Sequence, residues 1–303
     1  MLIMKKHPIL TVIIILIAVI ILMSIFMTVL GGFSGRTGGS PFSVKIGVIP
    51  IIGEILDSTA ILEQLKAFAK DSSIETIIIR IDSPGGGVGA SQEIYREIIK
   101  TRKIKKVVVS LGGVAASGGY YIAAAGDKII ANPGTITGSI GVIMSYVQFS
   151  ELAEKIGFGI EVVKSGEFKD IGSPHRDLTE RDREVLKEVI DDIQSQFVNH
   201  VAEGRNLAPE KVREIADGRV FTGAMAKKWG LVDKLGNFED AVSLAKELAG
   251  IEGEVSLIYP KRKKVPLLDL LMEEVAASIT RVLSKRMESR IEYRWNGFTK
   301  GTN

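Results

Sequence analysis

Residues 76–87 read TIIIRIDSPGGG, an apolar β-branched run that ends in a proline and three glycines. Isoleucine-rich runs favour strands, and the Pro-Gly cluster marks the turn where the strand ends. Two similar runs lie on either side, at Val44–Ile51 and Lys106–Leu111. Because all three runs are largely apolar instead of alternating with polar residues, they predict strands buried on both faces, as in a mainly parallel sheet.

Helical patterns separate these strands and dominate the second half of the chain. Strands that alternate with helices predict an α/β fold, with helices on both faces of the sheet. We expect helices near residues 58–70, 90–101, 116–125, 179–203, 210–216 and 237–249. Two further segments have strand-like composition, Ile160–Val163 and Val255–Tyr259.

The N-terminal segment predicts a membrane anchor. Ile9–Leu30 has no charged residue, and as a helix it would be about 33 Å long, enough to cross a bilayer. A cleavable signal peptide has a shorter apolar core and a small-residue cleavage site, so we expect the anchor to be retained. Lys5, Lys6 and His7 precede the run, which predicts that residues 1–8 are cytoplasmic and that the chain beyond the anchor is extracytoplasmic.

Changes in composition divide the rest of the chain. Residues 31–43 are rich in Gly and Ser and predict a flexible linker. The folded domain is expected over residues 44–260. Residues 261–303 begin with four basic residues and include an amphipathic pattern at Leu267–Arg286. This helix could contact a neighbouring subunit or a membrane surface, and two acidic residues within it favour the subunit.

Charge and cysteine content exclude several classes of protein. The formal net charge is +3, which is too small to indicate a nucleic-acid partner. Cysteine is absent, so disulfides, thiol nucleophiles and Cys-ligated zinc are excluded. The glycine-rich segments lack the spacing of a phosphate-binding loop.

Ser117 is a candidate nucleophile. It lies in AASGGYY (115–121), between the third strand and a helix, and its neighbours are small. A helix N-terminus offers unpaired N–H groups, which could stabilise an oxyanion formed from an attacked carbonyl. The candidate donors are the amides of Gly118 and of Gly86. Such glycine-rich turns can also be purely structural.

A serine nucleophile needs a base. The histidines are His7, at the predicted membrane edge, His200, beside the apolar stripe of a helix, and His175, in a loop-like segment that leaves it open as a candidate. A buried, neutral lysine can also serve. Lys169 is the lysine candidate, because it lies in the turn-rich segment KSGEFKDIGSP (164–174).

Four ordered segments resemble the signal peptide peptidase A family of bacteria, of the Clp-protease/crotonase fold superfamily. They are DSPGGG (82–87), AASGGYY (115–121), TGSIGV (137–142) and SGEFKDIGSP (165–174). The resemblance covers about residues 44–260 and implies a Clp-protease/crotonase-like fold with repeated ββα units.

The resemblance also implies roles for single residues. It makes Ser117 the nucleophile, Lys169 the general base and Ser139 the serine that orients the lysine. The donors of the oxyanion hole would be Gly86 and Gly118.

The family resemblance further implies an endopeptidase that degrades signal peptides left in the membrane after precursor processing, without a metal or cofactor. Its substrates would be signal peptides and other apolar peptides. Similar members form rings, octameric in some, whose Ser-Lys dyads are completed across adjacent subunits. In some relatives the C-terminal peptide enters the active sites, and Tyr293–Lys300 is the corresponding segment here.

Three different functions stay open. The chain could be a related membrane protease that cuts one particular partner. It could be a crotonase-type enzyme that acts on acyl-CoA, although an extracytoplasmic domain would not meet this substrate. It could also be an inactive ring scaffold, although the presence of Ser117, Lys169 and Ser139 together argues against loss of function.

Overall fold

A computed structural model describes residues 44–260 and 290–295, together with five N-terminal positions, 16, 19 and 21–23, that are helical. By contacts the chain separates into two units, Met1–Ser43 and Val44–Asn303. Among the described residues, no helix is both long and apolar enough to span a membrane.

Several predicted segments lie outside the described residues. They are the linker at residues 31–43, the amphipathic helix at Leu267–Arg286 and all but five positions of the anchor at Ile9–Leu30. Each of them stays a prediction.

The described strands alternate with helices along most of the chain. The strands are β1 (Val44–Ile52), β2 (Ile74–Ser83), β3 (Gly85–Gly87), β4 (Lys106–Ala116), β5 (Lys128–Ala131), β6 (Ile136–Gly138), β7 (Ile143–Ser145), β8 (Val220–Thr222), β9 (Lys234–Leu235), β10 (Val255–Ile258) and β11 (Arg290–Arg294). The helices are α1 (Thr59–Lys70), α2 (Val88–Arg102), α3 (Gly118–Ala123), α4 (Ser150–Lys155), α5 (Glu180–Arg205), α6 (Pro209–Arg213), α7 (Gly223–Lys228) and α8 (Phe238–Ala249).

The main sheet is parallel along its path β10-β1-β2-β4-β5-β9. Strand β6 extends it by pairing parallel with β4 and antiparallel with β8. A second sheet is antiparallel, in the order β3-β11-β7.

The isoleucines of β2 show why its sequence is apolar throughout. Ile77, Ile79 and Ile81 belong to the larger core, which also contains residues of α1, α2, α3 and α5. Ile78 belongs to a smaller core on the opposite face, where it packs with residues of α8 such as Ala245. Successive strand residues point to opposite faces, and helices cover both of them. The predicted α/β fold is confirmed.

The third predicted strand and the helix after it have different bounds from those expected. Strand β4 continues five residues beyond Leu111, through Gly112 and Gly113, because Val114–Ala116 pair with β6. Helix α3 consequently begins at Gly118 and not near residue 116.

The predicted strand at Ile160–Val163 is wrong. These residues are exposed and have no strand assignment, and Val163 is 95% exposed. No neighbouring strand is available in the described part of the chain to pair with their backbone, and local β-propensity is weak without such pairing.

Candidate active site

Ser117 lies between the end of β4 and the start of α3, in an unusual backbone conformation. Its φ is 53° and its ψ is −117°. Its N–H donates to the Gly138 carbonyl at 2.8 Å, and its own carbonyl accepts from the Tyr121 N–H at 2.8 Å. A positive φ is uncommon for a residue with a side chain, and such strained residues cluster at functional sites. The surrounding backbone bonds hold Ser117 in this conformation.

The hydroxyl of Ser117 has no hydrogen-bond partner in the described part of the chain. Its Oγ is buried, and the residue is only 1% exposed. Buried hydroxyls normally form hydrogen bonds. A buried hydroxyl without a hydrogen bond, in a strained turn, therefore indicates a group that reacts with a substrate or binds another molecule.

Ser139 lies at the corresponding position after β6. Ala116 and Gly138 are register partners at the ends of β4 and β6, so Ser117 and Ser139 are the next residues along these parallel strands. Ser139 also has a positive φ, 51°, and its N–H donates to the Arg219 carbonyl at 2.8 Å. No hydrogen bond joins the two serine side chains within the described chain.

The two predicted oxyanion donors border one small space. A Cβ placed on Gly85 would lie 2.7 Å from the Gly118 nitrogen, and a Cβ placed on Gly118 would lie 3.2 Å from the Gly86 nitrogen. The carbonyl oxygen of Tyr293 lies in the same space, 2.0 Å from the Gly85 Cβ position and 3.1 Å from the Gly118 Cβ position. The peptide carbonyl of Tyr293 therefore lies beside both predicted donors.

This carbonyl belongs to β11, which lies between β3 and β7 as an added strand. Tyr293 is the register partner of Gly86, Glu292 is that of Ile143 in β7, and the Trp295 N–H donates to the Pro84 carbonyl at 2.8 Å. Extended peptides bind many proteins by pairing with strand edges in this way. The C-terminal segment thus has the placement expected of a bound peptide.

The side chain of Tyr293 fills an aromatic pocket. It is fully buried, stacks on Tyr121 with ring centroids 5.0 Å apart, and contacts the Phe197 ring at 4.5 Å. Its hydroxyl donates to the Ile193 carbonyl at 3.2 Å. Burial raises the pKa of Tyr293 well above its ordinary value, so the phenol stays a neutral donor.

This pocket was not predicted from the sequence. Tyr121, Phe197 and Ile193 come from α3 and α5, which are distant in sequence. The Tyr-Tyr pair that follows Ser117 was the available signal, since α3 carries Tyr121 one turn after Ser117. The C-terminal segment was expected at Tyr293–Lys300, whereas β11 begins at Arg290 and residues 296–300 are not described.

Lys169 is not brought to Ser117 within one described chain. It lies in a short 3₁₀ turn, Glu167–Asp170, and is exposed. No hydrogen bond joins it to Ser117 or Ser139 among the described residues. The predicted Ser-Lys dyad therefore stays a prediction.

Neither described histidine replaces the lysine. His200 hydrogen-bonds the Tyr121 hydroxyl through its Nδ1 and stacks on Tyr95, and burial lowers its pKa. His175 contacts the Phe149 ring, and its Nδ1 is buried without a partner. No hydrogen bond joins either imidazole to Ser117 in the part of the chain that the structure describes.

Arg176 ties the turn that contains Lys169 to the start of α5. Its guanidinium donates to Asp170 at 2.9 Å and to Asp182 at 2.5 Å. Lys164 also donates to Asp170, at 2.7 Å. Asp182 is 1% exposed and forms a capping box with Thr179. These bonds fix the backbone on both sides of the predicted base.

Arg176→Ala is expected to lower the urea midpoint of unfolding at pH 7. Hydrogen bonds from Arg176 hold the pKa values of Asp170 and Asp182 well below their ordinary range. A depressed carboxyl pKa stabilises the fold above the ordinary value of about 3.9, and this stabilisation is lost as pH falls through the lower folded pKa. The midpoint difference between wild type and variant should therefore shrink below about pH 4.

Arg183→Ala provides the matched control for this experiment. Arg183 makes an exposed ion pair with Glu180 at 3.6 Å on the same helix, and such pairs contribute little to stability. The urea midpoint of Arg183→Ala should stay near that of wild type at pH 7 and also below about pH 4. Equal midpoints for Arg176→Ala and Arg183→Ala at pH 7 would contradict the proposed stabilisation of the fold by the bonds of Arg176 to Asp170 and Asp182.

Comparison with known families identifies two matching domain models. The model of peptidase family S49 matches residues 99–252, about half of the chain. The Clp protease model matches residues 44–136. Together they cover the described domain from β1 to the end of α8. They confirm the resemblance drawn from the four motifs and the Clp-protease-like part of the predicted fold.

Several proteins have similar sequences. A candidate protease of Synechocystis sp. is 48% identical over 210 residues, which are 69% of this chain and 76% of that protein. A candidate signal peptide peptidase SppA of Enterococcus faecium is 43% identical over 61% of this chain and 55% of its own length. The chloroplastic serine protease SPPA of Arabidopsis thaliana is 36% identical over 78% of this chain and 34% of its own length.

A solved structure gives a more distant match. A mutant of ClpP1 from Listeria monocytogenes matches over 64% of this chain and 94% of its own length, with 21% identity and a TM-score of 0.44. At this distance the likeness adds nothing to the family assignment.

Proposed function

The chain belongs to peptidase family S49, and from that premise we propose that it is a serine endopeptidase with Ser117 as nucleophile and Lys169 as base. The observation that supports this most is the unpartnered Ser117 hydroxyl. The serine lies in a strained turn. The backbone amides of Gly86 and Gly118 are close by, and the Tyr293 carbonyl lies beside them. These are the parts that acyl transfer requires.

In the proposed reaction, the Ser117 Oγ attacks the carbonyl carbon of a bound peptide. Lys169, as the neutral amine, accepts the hydroxyl proton. The amides of Gly86 and Gly118 donate to the oxyanion that forms. The ammonium of Lys169 then gives its proton to the leaving amine, which produces an acyl-enzyme and a new N-terminus. A water molecule, deprotonated by Lys169, hydrolyses the ester and restores Ser117.

The base is proposed to come from a neighbouring subunit of a homo-oligomeric ring, with an octamer as the expected size. Lys169 is exposed, and the Ser117 hydroxyl has no partner among the described residues, so a lysine from another subunit could supply the base. The segment between β7 and Lys169 also exposes a series of large apolar side chains, and contiguous exposed apolar surface marks contact sites. These are Val147, Leu152, Ile156, Phe158, Ile160, Val162 and Val163.

The proposed substrates are extended apolar peptides, including signal peptides that remain in the membrane. The groove between β3 and β7 suits an extended chain, and the Tyr293 pocket suits a large apolar side chain. With the predicted anchor at Ile9–Leu30, the enzyme would act outside the cytoplasm, close to the membrane. A protease dedicated to one membrane partner is the second candidate, supported by the pronounced aromatic character of the pocket.

The groove favours peptide substrates over acyl-CoA and over a purely structural role. An acyl-CoA substrate would make no use of two facing strand edges. An inactive scaffold would have no need for a strained, unpartnered serine. We further propose that β11 occupies the groove of its own chain as a substrate would, with Tyr293 before the bond to be cut.

The test combines labelling with hydrolysis. The full chain should react with a fluorophosphonate at Ser117, found by mass spectrometry of the labelled peptide. It should also cleave an internally quenched peptide with the sequence of residues 288–299 after the residue that corresponds to Tyr293. Ser117→Ala should lose both reactions. Ser243→Ala should keep both, because Ser243 lies on α8 and its hydroxyl donates to the Glu239 carbonyl of the same helix.

Absence of labelling and of cleavage in the assembled wild-type protein would overturn the proposal. Retention of both reactions by Ser117→Ala would do the same. Hydrolysis of an acyl-CoA in place of the peptide would favour the crotonase-type reaction.

A further inference from the structure

The side chain after Tyr293 has a specific partner. Arg294 is a neighbour of Tyr293 in β11 and points to the opposite face of the strand. Its guanidinium Nη1 lies 3.3 Å from Glu54 Oε1, and the two side chains are 26% and 24% exposed. An ion pair that is three-quarters buried is shielded from salt and solvent more than a surface pair.

Glu54 is held beside the groove by the backbone on both sides of it. The Gly53 N–H donates to the Asp82 carbonyl at 2.9 Å. Ile55 bonds β3 twice, donating to the Gly85 carbonyl at 2.9 Å and accepting from the Gly87 N–H at 2.8 Å. The backbone of Glu54 therefore has a fixed position relative to β3, from which its side chain reaches Arg294.

Arg294 is the only residue in the described part of the chain that forms an ion pair with Glu54. It also lies 3.6 Å from Glu292, but that carboxylate belongs to β11 itself and would leave with it. Two other carboxylates near this end of the groove have cations of their own, since Asp217 bonds Arg219 and Asp191 bonds Lys187. Among the described residues, Arg294 is thus the cation that balances the charge of Glu54, and partly buried charges favour pairing.

We propose that Glu54 is an acidic subsite that selects arginine or lysine at the first position after the scissile bond. The Tyr293 carbonyl lies beside the Gly86 and Gly118 amides, so in this proposal the bond to be cut joins Tyr293 to Arg294. The preferred peptide then has an aromatic residue before the cut and a cation after it. This inference rests on the proposed peptidase function, because it assigns a side of the same groove.

The side chains of Tyr293 and Arg294 together account for the register in which β11 pairs with β3. Tyr293 enters the aromatic pocket on one face while Arg294 reaches Glu54 on the other, and side chains alternate along a strand. A shift by one residue would put either the Arg294 cation into the aromatic pocket or the Tyr293 ring against the carboxylate, depending on its direction. The two subsites together therefore fix which bond faces Ser117.

The experiment compares three internally quenched peptides that differ only after the tyrosine, as Tyr-Arg, Tyr-Ala and Tyr-Glu. The full wild-type chain should cleave them in that order of kcat/KM. Glu54→Gln should lower kcat/KM for Tyr-Arg by about fivefold to tenfold and leave Tyr-Ala unchanged. Glu54→Lys should reverse the order and favour Tyr-Glu. Asp57→Asn is the matched control, since among the described residues Asp57 bonds only Thr59, and should keep the wild-type order.

Two outcomes would overturn the subsite, and they differ from failure of the peptidase function. If wild type and Glu54→Gln cleave all three peptides with the same preferences, Glu54 does not select the residue. If Glu54→Lys keeps the wild-type order, the charge at this position is irrelevant. If the wild-type chain neither labels at Ser117 nor cleaves any peptide, the function itself fails and the subsite with it.

Discussion

Lys169→Ala is expected to lower kcat for peptide hydrolysis by about a thousandfold or more, the range found when a general base is removed from a serine dyad or triad. Without a base, the Ser117 hydroxyl keeps its proton, since it has no other partner in the described chain. The measurement is steady-state hydrolysis of the residue 288–299 peptide. Lys187→Ala, which removes an exposed lysine paired with Asp191, should behave as wild type.

Mixing two inactive variants tests where the base comes from. Rings assembled from equal amounts of Lys169→Ala and Ser117→Ala chains should recover about a quarter of wild-type activity. If each site joins a serine from one chain to a lysine from the next, about one junction in four of a head-to-tail ring combines two intact groups. No recovery in mixed rings of normal size would show that serine and base belong to one chain. Full activity of Lys169→Ala alone would remove the lysine from the mechanism.

Gly85→Ala is expected to reduce peptide hydrolysis by about two to three orders of magnitude. Gly85 has φ +103°, and its Cβ would lie 2.0 Å from the carbonyl oxygen in the oxyanion space and 2.7 Å from the Gly118 nitrogen. The methyl group would block both the bound carbonyl and a donor. Hydrolysis should fall while thermal unfolding stays cooperative.

Gly89→Ala is the control for this substitution. Gly89 lies in the first turn of α2, and a Cβ there would meet nothing within 4 Å. Its activity should equal that of wild type, with stability unchanged or raised by about 0.5–1 kcal/mol. Normal hydrolysis by Gly85→Ala would mean that peptides do not bind along β3.

The fold was predictable where a local sequence pattern favours the same element that tertiary packing stabilises. Ile77 and Ile78 face different cores, so an apolar run without alternation correctly indicated a sheet covered on both faces. Thr179 and Asn237 begin their helices with capping boxes, a local signal. The bounds of β4 were not predictable, because its two central glycines resemble a turn until β6 pairs beyond them. The strand predicted at Ile160–Val163 was wrong for the opposite reason: its composition favours a strand, but no strand in the described part of the chain pairs with it.

The site was predictable only in part. Gly86, Ser117 and Gly118 each lie in a short motif, and the sheet brings these motifs to one edge. The aromatic pocket was not predictable, because Tyr121 and Tyr293 are separated by most of the domain and meet only through β11. The base was not predictable from residue patterns alone, because the proposed contact of Lys169 with Ser117 is made between two copies of the chain.

The placement of β11 also affects how readily one chain can associate with another through its strand edges. Strands β3 and β7 present facing edges with N–H and C=O groups that need partners, and open edges of this kind invite pairing between chains. While β11 lies between them, both edges are satisfied within the same molecule. In the described structure neither edge is therefore open to a second chain. The strand that resembles a substrate also covers edges of the kind that lead to aggregation when they are exposed.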